Sequence, residues 1–366
     1  MEELLRTFLL SAGLLLGLMI IGLIVFNLVF NSIKNRGRMM RGLNMELFLV
    51  LVPQDEYLEL GQKPRTMIER VQPMEQLYSV FSTFKEKGFW RNFEFGQPYL
   101  VWEITYIKNE IAFYVSVPAR YRDTLIRAIH SVFSEAVVEP VADYNIFNPQ
   151  VQGIAASYIV TGRNHLLPVR TYQSLEIDPL SELATNFSKI SEGEGVAMQV
   201  LMRPTDKKFG KLATKVTKKM QEGMSFEKAY YLATKGKLVP FKVKHEKINT
   251  NLTHQDQETI KAIQSHAGKA NFEVNIRLVA SAATQERAEA ILADFESSFN
   301  QFSSPSLNSF SQSREKIRNI IYEFSFRLFD ESKKITLSAE ELASVYHIPT
   351  PGLKVPKIKW LKARSA

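Results

Sequence analysis

The sequence predicts an α+β protein, with one N-terminal membrane-spanning helix ahead of two sandwiches of helices packed on antiparallel sheet. Three observations carry that prediction. The run from Thr7 to Phe30 holds no charged residue. Residues 43–142 show strand and helix patterns in the order strand, helix, strand, strand, helix, strand. Residues 143–312 alternate in a related way around a lysine-rich insertion at 203–250.

As a helix at about 1.5 Å per residue, the apolar run is roughly 36 Å long. That crosses the ~30 Å hydrocarbon layer of a bilayer with some tilt. Ser11 and Asn27 are its clearly polar side chains. A cleavable signal has an apolar core of about 7–15 residues and a small-residue cleavage site, whereas this run is longer and passes into Asn31-Ser32-Ile33-Lys34. A buried core helix is seldom apolar on every face for such a length. Residues 1–42 therefore read as an uncleaved anchor with a basic flank. Glu2, Glu3 and Arg6 precede the run, and Lys34, Arg36, Arg38 and Arg41 follow it with no acid until Glu46. The basic side faces the cytoplasm, which puts the N-terminus outside the cell membrane and the bulk of the chain inside. The same four cations suit the anionic headgroups of the lipid bilayer, at about 1 kcal/mol each near the surface. Gly13 and Gly17 form a GxxxG spacing that permits close helix approach and predicts a homo-oligomer.

The first soluble unit, 43–142, opens with the apolar run 46–52, stopped by Pro53, as in a buried strand. From Pro73 to Lys87, Met74, Leu77, Tyr78, Phe81 and Phe84 recur at helical spacing, with Gly88 as the stop. Residues 99–106 and 110–117 read as strands of a hairpin around Ile107-Lys108-Asn109. Pro118 opens a helix carrying Tyr121, Leu125, Ile129 and Phe133, and 136–141 reads as a closing strand. That order is the order of a ferredoxin-like split βαβ unit.

In the second unit, 143–312, residues 155–161 and 166–172 look like strands. Asp178-Pro179 supplies an N-cap and an N1 proline for a helix to about Ile190. The turn 191–195 leads into a strand at 196–202. After the insertion come a helix at 253–267, a strand at 271–280 and an amphipathic helix at 284–299 with Ala288, Ile291, Leu292 and Phe295 on one side. These pieces predict a second ferredoxin-like sandwich. In the tail, 313–366, residues 322–329 alternate as a strand, Ser338 and Glu341 form a capping box with the staple Leu337–Leu342, and the prolines after His347 predict an exposed linker.

Composition narrows the function. A hydrophobic content of 45% with 11% aromatics excludes a disordered or fibrous chain. Zero cysteines exclude disulfides, iron–sulfur clusters, thiolate zinc sites and cysteine nucleophiles. Gly-Lys pairs at 210–211, 236–237 and 268–269 lack the GxxxxG lead and the following Ser or Thr of a phosphate-binding loop. Gly193-Glu194-Gly195 reads as a tight turn. His130, His165, His245, His254, His266 and His347 show no HExxH or HxH spacing and read as surface or half-buried residues. No serine sits in GxSxG. Glu192/Glu194 and Glu340/Glu341 have turn or cap explanations. The expectation is a non-enzymatic protein with no catalytic, cofactor-binding or metal-ligating residue and no cofactor.

The formal charge of +8 is concentrated in one place. Residues 203–247 hold Arg203 and twelve lysines against Asp206, Glu222, Glu227 and Glu246. One reading is a surface for nucleic acid or anionic lipid, with Lys207, Lys208, Lys211, Lys215, Lys218 and Lys219 as contacts. The other is the solvated face of a helix, which the same spacing suits. Tyr230, Tyr231 and Phe241 accompany the lysines, without by themselves making a stacking platform.

Several separated blocks carry a resemblance. Leu167-Pro168-Val169-Arg170-Thr171-Tyr172-Gln173-Ser174-Leu175-Glu176-Ile177-Asp178-Pro179-Leu180, Glu192-Gly193-Glu194-Gly195, Leu201-Met202-Arg203-Pro204, Phe299-Asn300-Gln301-Phe302, Leu337-Ser338-Ala339-Glu340-Glu341-Leu342-Ala343 and Ile358-Lys359-Trp360-Leu361-Lys362 resemble the membrane-anchored N-terminal region of conjugative-transfer, type IV secretion-like ATPases of the FtsK/HerA type. The resemblance covers nearly all of 43–362. It implies a module that positions a RecA-like translocation motor, in another segment or another chain, at the cytoplasmic face. In such proteins the last block leads into the motor, so no ATP-binding residue carries over to this chain. The alternative from the residues themselves is a membrane-tethered nucleic-acid-binding module acting through 203–250, with DNA as its partner.

Overall fold

The structure, a computed structural model, describes residues 1–54, 64–147, 152–235, 252–353 and 355–361. It begins with one uninterrupted helix, α1 (Glu2–Leu43). Its segment Glu2–Phe30, which contains the whole of the apolar run, is long and apolar enough to cross a membrane and has no buried part. The helix does not stop at the end of that segment. It continues for three more turns and enters the first strand after a single residue, Asn44.

The first half of the body follows the predicted order: β1 (Met45–Leu51), α2 (Met67–Val80), α3 (Phe89–Phe95), β2 (Leu100–Ile107), β3 (Glu110–Pro118), α4 (Arg122–Val132) and β4 (Val137–Pro140). The helix predicted to start at Pro73 starts instead at Met67, and Pro73 lies inside it. Thr66 and Glu69 close a capping box. That cap and the burial of Val71, Met74, Leu77 and Tyr78 offset the one backbone hydrogen bond that proline forfeits. Lys108 and Asn109 have φ of 51° and 66°, the left-handed pair of a tight hairpin turn.

The second half runs β5 (Gly153–Thr161), α5 (Leu180–Ser188), β6 (Gly195–Pro204), α6 (Lys208–Gln221), α7 (Phe226–Lys235), α8 (His254–Gly268), β7 (Asn271–Ala282), α9 (Gln285–Ser297) and β8 (Phe310–Ser313). After it come α10 (Ile317–Ser325), β9 (Ile335–Ser338) and α11 (Ala339–Val345). Three predictions for this part fail. Residues 166–172 form no strand, because side chains rather than a neighbouring strand take their backbone groups: Asn164 Oδ1 accepts from Leu166 N, and Asn308 Nδ2 donates to Leu167 O. Residues 322–329 are not a strand. Ile320 and Phe324, four apart, are the buried side of α10, and Arg327 at φ 51° turns the chain. The stretch after His347 is not an exposed linker, since Ile348, Thr350, Leu353 and Ile358 are buried and Ile358 and Leu361 bridge Ile111 and Pro53.

The nine strands among the described residues join one antiparallel sheet in the order β4-β1-β3-β2-β6-β7-β5-β8, with β9 on β7. The halves meet at β2 and β6, where Glu103 faces Gln199 and Leu100 faces Met202. One face of the sheet carries the main core, in which Trp102, Met198, Val200 and Phe272 pack under α2, α5, α9 and α11. The other carries Tyr158, Ala197 and Val279 under α10, and Val101 and Leu201 beside Phe329.

Strand directions define two poles. Met45 pairs with Pro118, Leu100 with Met202 and Pro204 with Phe272, so the start of β1, the end of β6 and the start of β7 share the pole that α1 enters. The Lys108-Asn109 turn, Gly195 and Leu361 lie at the opposite pole.

Candidate functional site

The pole that α1 enters gathers the residues singled out from the sequence. Of the predicted basic flank, Arg36 is exposed, and the Lys34 side chain lies outside the described residues. Arg38 and Arg41 turn to the body. Arg38 Nη2 donates to Phe329 O at 2.5 Å, and Arg41 donates to Gly96 O at 2.7 Å and to Gln97 O. Arg41 also lies over the Tyr99 ring, 5.9 Å from its centroid. Burial pulls its guanidinium down to about 10, which leaves it charged at neutral pH. A charged donor on a backbone carbonyl is among the stronger hydrogen bonds, so these arginines fasten α1 to the body.

Glycine makes that docking close. A Cβ on Gly37 would collide with the Glu94 carbonyl, and one on Gly42 with the Phe326 carbonyl. α1 therefore packs backbone to backbone against α3 on one side and the turn after α10 on the other. Tyr322 Oη lies 3.1 Å from Met39 Sδ in the same contact.

The turn that receives α1 is held from beneath by buried charges that the sequence did not single out. Arg327 pairs with Glu103 at 3.1 Å and with Asp143 at 2.7 Å. Burial opposes its charge, but Glu103 and Asp143 raise it above the ordinary arginine value. Arg277, fully buried, donates to Tyr158 Oη at 2.9 Å, Gln199 Oε1 at 2.8 Å, and the carbonyls of Glu323 and Leu328. Gln199 in turn donates to Glu103 at 2.6 Å across the seam of the two halves. Glu103 and Gln199 stand out in the sequence as polar residues between apolar neighbours of β2 and β6, whereas Arg277 follows Asn271, Glu273 and Asn275 on the alternating polar side of β7 and looks like part of a wet face.

The lysine-rich insertion begins at the same pole. Lys207, Lys208, Lys211, Lys215 and Lys218 are exposed and Lys219 is half-buried. The other side of α6, with Phe209, Ala213, Val216 and Met220, packs with Ala229, Ile260 and Ile263 of α7 and α8. Tyr230 joins that packing instead of forming a platform, while Phe241 and 236–251 lie outside the described residues. Arg203 does not belong to the exposed basic surface: it pairs with Glu273 at 2.6 Å and Glu331 at 2.7 Å and stacks on Phe329.

A third feature is a seam between distant blocks. Val169 N donates to Glu341 Oε1 at 2.8 Å, Thr171 Oγ1 to Glu340 at 2.6 Å, Tyr172 N to Ser344 Oγ at 2.9 Å, and Arg170 N to Phe302 O at 2.9 Å. Glu341 completes the predicted capping box with Ser338. Two histidines expected at or near the surface are buried here instead. His266 Nε2 lies 2.9 Å from Glu341, and His347 Nε2 lies 3.0 Å from Asp178. Burial works against charge on both members of the first pair, yet their attraction holds the Glu341 carboxyl below its ordinary value and lifts the His266 imidazole above its own. A cleft of about 270 Å³ opens beside them, lined by Arg170, Thr171, His266, Lys269 and Glu340. Lys269 is paired with Glu340, so the charges of the cleft answer one another. Among the described residues, no three His, Asp or Glu side chains are grouped as metal ligands.

No curated protein matches this sequence. Residues 56–361, which take in every described element from α2 to the bridge at Leu361, match the family model described as Domain of unknown function (DUF8128), and the chain belongs to that family.

Proposed function

We propose that this protein is a single-pass membrane anchor and assembly module, which holds a RecA-like translocation motor of the type IV secretion class at the cytoplasmic face. The observation that carries the reading is the unbroken α1, apolar over Glu2–Phe30 and then locked to the body through Gly37, Gly42, Arg38 and Arg41. A tether needs only a flexible link. A helix docked backbone to backbone fixes the attitude of whatever it carries. The sequence resemblance supplies the cargo, and its blocks at 167–180, 299–302 and 337–343 cooperate in one seam. The block at 358–361 lies at the pole away from α1, so a motor engaged there stands off the bilayer by the height of the sheet. The basic residues beyond the span support an orientation with the N-terminus outside. Gly13 and Gly17, with nothing within 4 Å of a Cβ built on either, leave room for a homo-oligomer of anchors. We read each half as a ferredoxin-like unit, and the strand orders β4-β1-β3-β2 and β8-β5-β7-β6 support this.

The test is to mix the full-length protein in detergent with the RecA-like motor encoded beside it. Co-migration at micromolar concentration is the expected result, and separate migration contradicts the reading. A second reading, nucleic-acid binding through the exposed lysines of α6, is favoured by their clustering on one face. It requires affinity for DNA that falls steeply as salt rises. Binding that survives reversal of Lys211, Lys215 and Lys218 to glutamate rules it out.

A further inference from the structure

We propose that the leading ends of α3 and α10 form a collar around α1 that lies in the headgroup layer and binds anionic lipid. This rests on the reading that α1 spans a bilayer. The contacts set the level of each helix along α1. Gly37 lies against Glu94, and Arg41 reaches Gly96 and Gln97, so α3 runs in the same sense as α1. Tyr322 meets Met39 and Phe326 meets Gly42, so α10 does too. At about 1.5 Å per residue, Trp90 stands roughly 6 Å before Glu94, level with residue 33 of α1. Ile317 stands roughly 7.5 Å before Tyr322, level with residue 34. Phe30 closes the apolar span. Both side chains therefore sit about 5–6 Å beyond the hydrocarbon edge, within the headgroup zone of each leaflet.

The residues at that level suit the zone. Trp90 is 77% exposed, Ile317 38% and Tyr322 47%, and tryptophan and tyrosine collect at membrane interfaces because one end is apolar and the other wet. Around them Arg36, Arg91, Lys316 and Arg318 are exposed. Arg91 leans toward Glu86 at 3.7 Å. Of the nearby acids, Glu94 is exposed and Glu315 is held by Lys333 at 2.5 Å. The excess is positive and attracts an anionic leaflet. The collar takes over the headgroup role expected of Arg38 and Arg41, which are engaged with the body.

The experiment uses the full chain in phosphatidylcholine vesicles containing one quarter phosphatidylglycerol and a lipid spin-labelled near its headgroup. Tryptophan quenching is compared between wild type and Trp90→Phe, since Trp102 is buried in the core and Trp360 lies at the far pole. A quenched component that disappears in Trp90→Phe, and a new one in Ile317→Trp, are expected. A fluorophore on Leu18→Cys, quenched by a lipid labelled deep in its chain, reports the span separately. If Leu18 is quenched while Trp90→Phe and Ile317→Trp leave the tryptophan signal unchanged, the collar is overturned and the anchor stands. If Leu18 is not quenched, the anchor reading falls and the collar with it.

Discussion

The two halves of the body share a strand order and differ in what joins their middle strands. In the first half β2 and β3 are linked by the Lys108-Asn109 turn, and in the second β6 and β7 are separated by the lysine-rich insertion, which holds α6 and α7, and by α8. Because β2 and β6 pair antiparallel, the two equivalent connections project from opposite poles. The short turn lies away from α1, and the basic helices emerge beside it. One seam therefore both closes the nine-stranded sheet and decides which end of the molecule becomes basic.

The strongest way to break that arrangement is to attack the seam's polar centre. Arg277→Met strands Gln199, Glu323 and the carbonyls of the turn, and is expected to cost about 3–5 kcal/mol in chemical denaturation. The loss falls on both halves because Gln199 also holds Glu103. A next step separates the anchor from the halves. Gly42→Leu pushes a side chain into the Phe326 carbonyl, and is expected to destabilise the docked state by the upper end of about 1–3 kcal/mol. Its signature is new protease cleavage between residues 37 and 45 with the body still folded.

A smaller effect sharpens the seam at 166–178. His266→Gln is expected to cost about 1 kcal/mol, with a pH dependence whose sign follows from the pair. The raised His266 value means that its stabilisation is whole below about pH 6.5 and fades as pH rises through the folded-state value. The lowered Glu341 value means that its stabilisation is whole above about pH 4.3 and fades as pH falls through the folded-state value. The gap between wild type and His266→Gln is therefore expected to be widest between those limits, and a gap flat across pH contradicts the ion pair. Smallest of all, reversing Lys211, Lys215 and Lys218 to glutamate is expected to move stability within about 0.5 kcal/mol, since those residues are exposed.

Elements governed by local pattern were legible in the sequence. The apolar run, the strands around Lys108-Asn109, the cap at Ser338 and the apolar side of α9 each announce themselves within a few residues. What was hidden depends on partners far away in the chain. Residues 166–172 look like a strand until Asn308 takes the Leu167 carbonyl. Residues 322–329 satisfy a period of two, yet the pair Ile320 and Phe324 fits a helix that the α1 contact and Arg277 then fix. His266 finds Glu341 only through the fold. The contacts of the basic flank were hidden too, because nothing local reveals that Arg38 and Arg41 meet carbonyls at 329 and 96.

The central claim is that α1 and the body move as one piece. The chain has no cysteine, so spin labels at Leu28→Cys and Glu192→Cys report a single distance in bilayers by double electron–electron resonance. The expected result is one narrow distance distribution that broadens in Gly42→Leu. A broad distribution in the otherwise unaltered protein, no narrower than in Gly42→Leu, would contradict the claim.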